Sequence, residues 1–182
     1  MFRTGFLALL LAANVAFADE AVPICHGYGC LAQVTIQYDE SRLKEIGAAL
    51  NVTVDAENER KILAGVIGQL YALASEQSDI GNDRGGNYAD GTTPGKMDCI
   101  DHSTSTTRLL KLLEARGYLR RHRVLERDSR DFAWLFTAHW SAVIEENDGS
   151  ARFVVDSWFV DNGQPAVILP LEEWKKGAGP DV

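Results

Sequence analysis

Between Asp39 and Arg116 the apolar residues of this 182-residue chain recur at spacings of three and four, and beyond Gly117 they fall into short runs rich in β-branched and aromatic residues. This single change of period constrains the fold more than any other feature. Helical segments that precede the strands, instead of alternating with them, supply no crossovers to join parallel neighbours. The expected class is α+β, with helices packed on an antiparallel meander. Leu43, Ile46 and Leu50 share one face of a helix over 39–50. Ile62, Leu63, Val66, Ile67, Leu70, Tyr71 and Ala74 make a broader stripe over 55–75, with Asp55 as its N-cap. Leu109, Leu110, Leu112 and Leu113 predict a third helix over 100–116, ended by Gly117 in a left-handed conformation. Strands are expected over 118–126, 133–145, 152–160 and 166–169.

The length suits one domain, placed at residues 19–182, and 46% hydrophobic with 24% charged residues separates the chain from disordered compositions. Residues 1–18 are set apart. Met1-Phe2-Arg3 is a short positive start, Gly5 to Val15 is almost unbroken apolar, and Ala16-Phe17-Ala18 is a small-x-small cleavage site, the pattern of a secretory signal. The apolar run is too short to span a bilayer of ~30 Å, so no transmembrane segment is expected and the protein is read as exported, periplasmic or secreted in a bacterium. With 18 Lys+Arg against 26 Asp+Glu, the net charge of −8 repels phosphate backbones, and no nucleic-acid partner is expected.

An exported chain meets oxidising conditions. Of its three cysteines, Cys25 and Cys30 flank His26-Gly27-Tyr28-Gly29, whose glycines allow a turn tight enough for a disulfide, and Cys99 is left over. A free thiol in such a protein is either buried as a small hydrophobe or chemically used. Two observations favour use. Residues 76–97 form a long glycine-rich loop that delivers the chain to Asp98-Cys99, and Cys99 then stands at a helix N-terminus, where unpaired N–H groups and the macrodipole favour a thiolate. Downstream, a two-residue Asp148-Gly149 turn sets His139 opposite Trp158 and Ser141 opposite Asp156. His139 and Asp156 then share one sheet face diagonally, while Trp134, Phe136, Trp140, Ile144, Phe153, Val155 and Phe159 form the opposite, more apolar face.

A thiol at a helix start, an imidazole to move protons and a carboxylate to fix its tautomer are the parts of cysteine acyl transfer. The order Cys99, then His139 on one strand, then Asp156 on the next resembles the transglutaminase-like branch of the papain-fold enzymes. It is most similar to the bacterial transglutaminase-like cysteine proteinases, exported proteins whose Cys stands in an Asp-Cys-x-Asp setting at a helix start, as in Asp98-Cys99-Ile100-Asp101. The likeness covers about residues 55–165. It implies a papain-like/transglutaminase-like fold and a thiol-dependent amide hydrolase (a cysteine peptidase) or acyl transferase acting on a protein or peptide. In those proteinases an acidic residue after the Cys belongs to a calcium site. Ile100 stands there, so no cofactor is expected and calcium stays open.

The oxyanion donors expected are the Cys99 backbone N–H with a side chain from Asn87, Tyr88 or Lys96. Cys99-x-x-His102 is half of a zinc site, but a Cys25–Cys30 disulfide removes the ligands that would complete it, and no metal centre is assigned. Asp83 and Asp90 do not fit an EF-hand spacing. Arg116, Arg120, Arg121, His122, Arg123 and Arg127 are read as a solvated strand edge. Two alternatives remain: an inert binding or structural module of the same fold with Cys99 merely buried, and a cell-wall peptide amidase. Asp156 leans against the latter, since such enzymes commonly use a second His.

Overall fold

In a computed structural model of the chain, residues 19–86, 91–131 and 138–180 are described. The expected leader, Asn87 and Tyr88, Asp90, and Trp134 and Phe136 lie outside them. A hairpin of β1 (Glu20–His26) and β2 (Ala32–Tyr38) comes first, followed by α1 (Glu40–Asn51), α2 (Ala56–Ser75) and α3 (Cys99–Ala115). Strands β3 (His122–Asp131), β4 (Ala138–Glu146), β5 (Arg152–Asp156) and β6 (Val167–Pro170) then form an antiparallel sheet in chain order, and α4 (Leu171–Lys175) closes the fold. The α+β class and the antiparallel meander hold. Among the described residues no helix is long and apolar enough to cross a membrane.

The helix ends follow local chemistry. Asp39, Asp55 and Asp98 each accept a backbone N–H from three residues on, satisfying donors that have no intrahelical partner. Asp98 and Asp101 complete a reciprocal capping box at the start of α3. At its other end Gly117 takes φ +70°, with Tyr118 N bonded to Leu113 O at 2.9 Å and Gly117 N to Glu114 O at 2.9 Å, a Schellman closure.

The β1–β2 hairpin was not legible in advance. Its residues alternate inward Val22, Ile24, Ile36 and Tyr38, all buried, but Pro23 interrupts the pattern. Nor was α4. It covers the second face of the sheet, where Leu171 and Trp174 pack on Val143, Val154, Trp158 and Phe159. The first face, with Ala142, Ile144 and Val155, packs against α2 and α3. The apolar face expected from alternation is therefore only partly the core. Ile144, Val155 and Phe153 belong to it, whereas Trp140 is half-buried beneath the Arg127 guanidinium at 5.2 Å, and Phe159 lies in the other cluster. The reason is that β5 ends at Asp156 and 157–160 form a turn, which breaks the period of two.

Strand β3 begins at His122 rather than Tyr118, because the Glu59 carboxylate takes the N–H groups of Arg120 and Arg121 and the Nδ1 of His122 at 2.8 Å. The basic cluster is accordingly not one solvated edge. Arg116 is buried and ion-paired with Glu20 and Glu40, and His122 is fully buried on Glu59, while Arg123 and Arg127 do lie on the edge strand. Burial pushes the Glu59 carboxyl up, but the His122 ring and the two backbone N–H groups outweigh it and hold it below the usual carboxylate range. A depressed carboxyl adds stability above its unfolded value that is lost as pH falls through the folded one. Glu59→Ala strands the buried His122 Nδ1 and two part-buried N–H groups and should cost about 3–5 kcal/mol, measured as a shift in the denaturant midpoint; a variant within 1 kcal/mol of wild type would show that water replaces the carboxylate.

Candidate active site

Strand β4 pairs with β5 through Ala142↔Val155, Val143↔Val154, Ile144↔Phe153 and Glu145↔Arg152, the register the Asp148-Gly149 turn implies. The ladder stops there, one pair short of Ser141 and Asp156. Beyond it the free edge of β4 at Ala138–Trp140 meets the first turn of α3. Cys99, half-buried at the first position of that helix, points its Sγ at the Ala138 carbonyl oxygen at 3.7 Å and receives the Trp140 backbone N–H. The thiol thus sits on the backbone that flanks His139.

His139 Nε2 and Asp156 Oδ2 are 2.7 Å apart, both side chains almost fully buried. Asp156 also accepts the Trp174 Nε1–H on Oδ2 at 3.0 Å and the Trp158 backbone N–H on Oδ1 at 3.2 Å. With three donors converging on it, this carboxylate is the acceptor, so the imidazole proton lies on Nε2 and Nδ1 keeps its lone pair. The ring is boxed by Trp158, Phe159 and Trp174, with centroids at 4.8, 5.4 and 5.6 Å. Arg130, opposite His139 across the β3–β4 ladder, donates to Trp174 O at 2.7 Å and Ala178 O at 2.8 Å and stacks 4.9 Å above the Trp174 ring, which fixes α4 in place. Trp174 was missed from the sequence. A lone Trp near the C-terminus carries no spacing signal.

Cys99 departs from one expectation. Burial pushes its thiol pKa up, the Asp98 and Asp156 carboxylates add to that, and the N–H groups of Trp140 and Cys99 itself oppose it without prevailing. The favourable field of the helix start is already met by Asp98 and Asp101 in the capping box. Burial thus works against the thiolate that the helix start favours.

Among the oxyanion candidates, Lys96 lies with its ammonium 4.5 Å over the Tyr28 ring and bonded to Gly91 O. Asn87 and Tyr88 fall outside the described residues. His102 uses both ring nitrogens, Nε2 with Asp83 Oδ2 and Nδ1 with Ser157 Oγ, each at 2.9 Å. Asp83 spends its other oxygen on Met97 N at 2.7 Å. Cys25 and Cys30 are joined in a disulfide, their Cα atoms 4.7 Å apart. Among the described residues, then, Cys25 and Cys30 are bonded to each other, and the Asp83 oxygens are taken up by His102 and Met97 N. Thiol titration of denatured, unreduced protein should find one group, Cys99, with two more after reduction; three at the outset would overturn the disulfide. Set against protein-family models, curated proteins and solved structures, the chain matches none.

Proposed function

We propose that this chain is a thiol-dependent amide hydrolase or acyl transferase, with Cys99 as nucleophile, His139 as acid and base, and Asp156 as the group that orients the imidazole. The observation that carries this reading is the buried 2.7 Å His139–Asp156 hydrogen bond beside a thiol at a helix start. An order of helix then antiparallel sheet supports the papain-like, transglutaminase-like reading of the fold, and the Cys25–Cys30 disulfide is compatible with export.

Because burial opposes ionisation of the thiol, His139 Nδ1 takes its proton as the sulfur attacks an amide carbonyl. The tetrahedral oxyanion is met by the Cys99 N–H, one of the helix-start amides with no intrahelical partner. Nδ1–H then protonates the leaving amine, and the C–N bond breaks. Water, or an amine in the transfer reaction, attacks the thioester as the imidazole again removes a proton, and Cys99 recovers its own. Asp156 holds the positive ring throughout, and Trp158, Phe159 and Trp174 keep water from the pair.

One observation favours a second reading. A thiol raised by burial is also what an inert module with a packed cysteine displays. Intact-mass analysis after incubation with activated acyl esters and peptide amides separates the two: an acyl adduct on Cys99, absent from Cys99→Ala, is expected of the enzyme. An unmodified chain throughout the panel would favour the inert module.

A further inference from the structure

The first turn of α3, which carries Cys99, is held from outside by the loop between β1 and β2. Tyr28 N donates to Asp101 Oδ2 at 2.8 Å, Cys30 N to Asp101 Oδ1 at 2.7 Å, and Gly29 N to Asp98 Oδ2 at 2.8 Å. Gly27 N reaches back to Lys96 O at 2.8 Å. Three successive N–H groups converge on two carboxylates only because Gly27, Tyr28, Gly29 and Cys30 all adopt positive φ, at 84°, 71°, 62° and 57°. Residues with a Cβ rarely adopt that conformation, and Tyr28 and Cys30 both carry one. What closes the loop over it is the Cys25–Cys30 bond.

We infer that Asp101 is a positioning residue for Cys99, and that the Cys25–Cys30 disulfide holds Asp101 in that role, so the site is assembled only in the oxidised chain. Asp98 caps the helix immediately before Cys99, and Asp101 returns its carboxylate to Asp98 N at 3.1 Å. The loop therefore grips both ends of the short segment that contains the thiol. Reduction takes two electrons from an external dithiol. One of its sulfurs attacks the disulfide, the S–S bond breaks, the dithiol closes into its own cyclic disulfide, and its two protons end on the Cys25 and Cys30 thiols. Without the closure, Tyr28 and Cys30 return to ordinary backbone and withdraw their N–H groups from Asp101. The first turn then loses its outside partners, and the thiol leaves its seat between Ala138 O and the Trp140 N–H. A reducing compartment would keep the enzyme idle until export.

This inference rests on Cys99 being the working thiol. Its test is alkylation of Cys99 by iodoacetamide over a pH series in the oxidised wild type, in Cys25→Ala/Cys30→Ala and in Asp101→Asn, with amide exchange of α3 recorded alongside. The carboxylates that act on the sulfur, Asp98 from its own turn and Asp156 from the sheet, are unchanged in all three, as is His139. In the oxidised wild type the alkylation profile should lie above that of an ordinary thiol, about 8.5. In both variants it should move down toward that value as the thiol is uncovered, with a rise on the order of tenfold in rate below the midpoint. Turnover of any acyl substrate should fall, on the order of 10²-fold for a displacement of ~1 Å. Amides of Leu109 to Leu113 should keep their protection. If the double variant loses that protection too, Asp101→Asn, with its disulfide intact, decides the question. A wild-type profile in Asp101→Asn would overturn the clamp while leaving the proposed chemistry standing. A shifted profile in a chain that never forms an acyl-enzyme would uphold the clamp and overturn the chemistry.

Discussion

Cys99→Ala should abolish both turnover and acyl-adduct formation while leaving the folded protein within about 1 kcal/mol of wild type, since alanine is small and well tolerated in a helix. The site offers no other route to the adduct, because the remaining cysteines are joined to each other. His139→Ala should cost nearly as much. A half-buried thiol whose ionisation burial opposes loses the base that would ionise it and the acid that the leaving amine needs, and general acid–base assistance is worth on the order of 10²–10⁴. The stability of His139→Ala should fall as well, because the Asp156 carboxylate loses one of its donors and a space opens between Trp158 and Trp174. Initial rates and melting temperatures measured together separate these effects. Wild-type turnover in Cys99→Ala, or a His139→Ala protein that loses activity only in proportion to its unfolded fraction, would rule out the catalytic assignment.

Asp156→Asn and Asp156→Ala should part company. In the wild type, Oδ2 takes two donors, His139 Nε2 and Trp174 Nε1, and Oδ1 takes one, the Trp158 backbone N–H. An asparagine that places its oxygen at Oδ2 keeps both side-chain donors and the imidazole tautomer. It sets its NH₂ against Trp158 N–H at a cost of about 1–3 kcal/mol. The expected loss in kcat is therefore on the order of 10–10², short of the ~10⁴ recorded when a serine triad is given the wrong tautomer. Asp156→Ala strands all three donors, frees the ring to rotate, and should approach His139→Ala in rate. Equal activity in both Asp156 variants and wild type would remove this residue from the site.

The helix start at Cys99, the cap at Asp55 and the left-handed Gly117 follow from side chains acting within four residues of themselves, and such local chemistry is written directly in the chain. The β4–β5 register is equally local, because a short turn ties each pair to the next. Hence the shared sheet face of His139 and Asp156 was legible from spacing, while their 2.7 Å contact is set by the structure. Other features were not. The β1–β2 hairpin was hidden by Pro23, and α4 by its five-residue length. Glu59 read as one acidic position on a helix, yet its carboxylate organises the entry to β3 some sixty residues later.

What the sequence by itself determined is the class of fold, the ends of the helices and which residues share a sheet face, since each depends on periodicity, capping and turn geometry over short separations. Only the tertiary structure decided the environment those residues work in. Trp174 reaches Asp156 across 18 residues, Asp101 receives the disulfide loop across more than 70, and the Cys99 thiol is set by burial where local reasoning pointed to a thiolate. The physical reason is the same in each case. Helix and strand periods tell a side chain which way to face, but desolvation and long-range hydrogen bonds depend on which other surface arrives there, and that is a property of the packed chain as a whole.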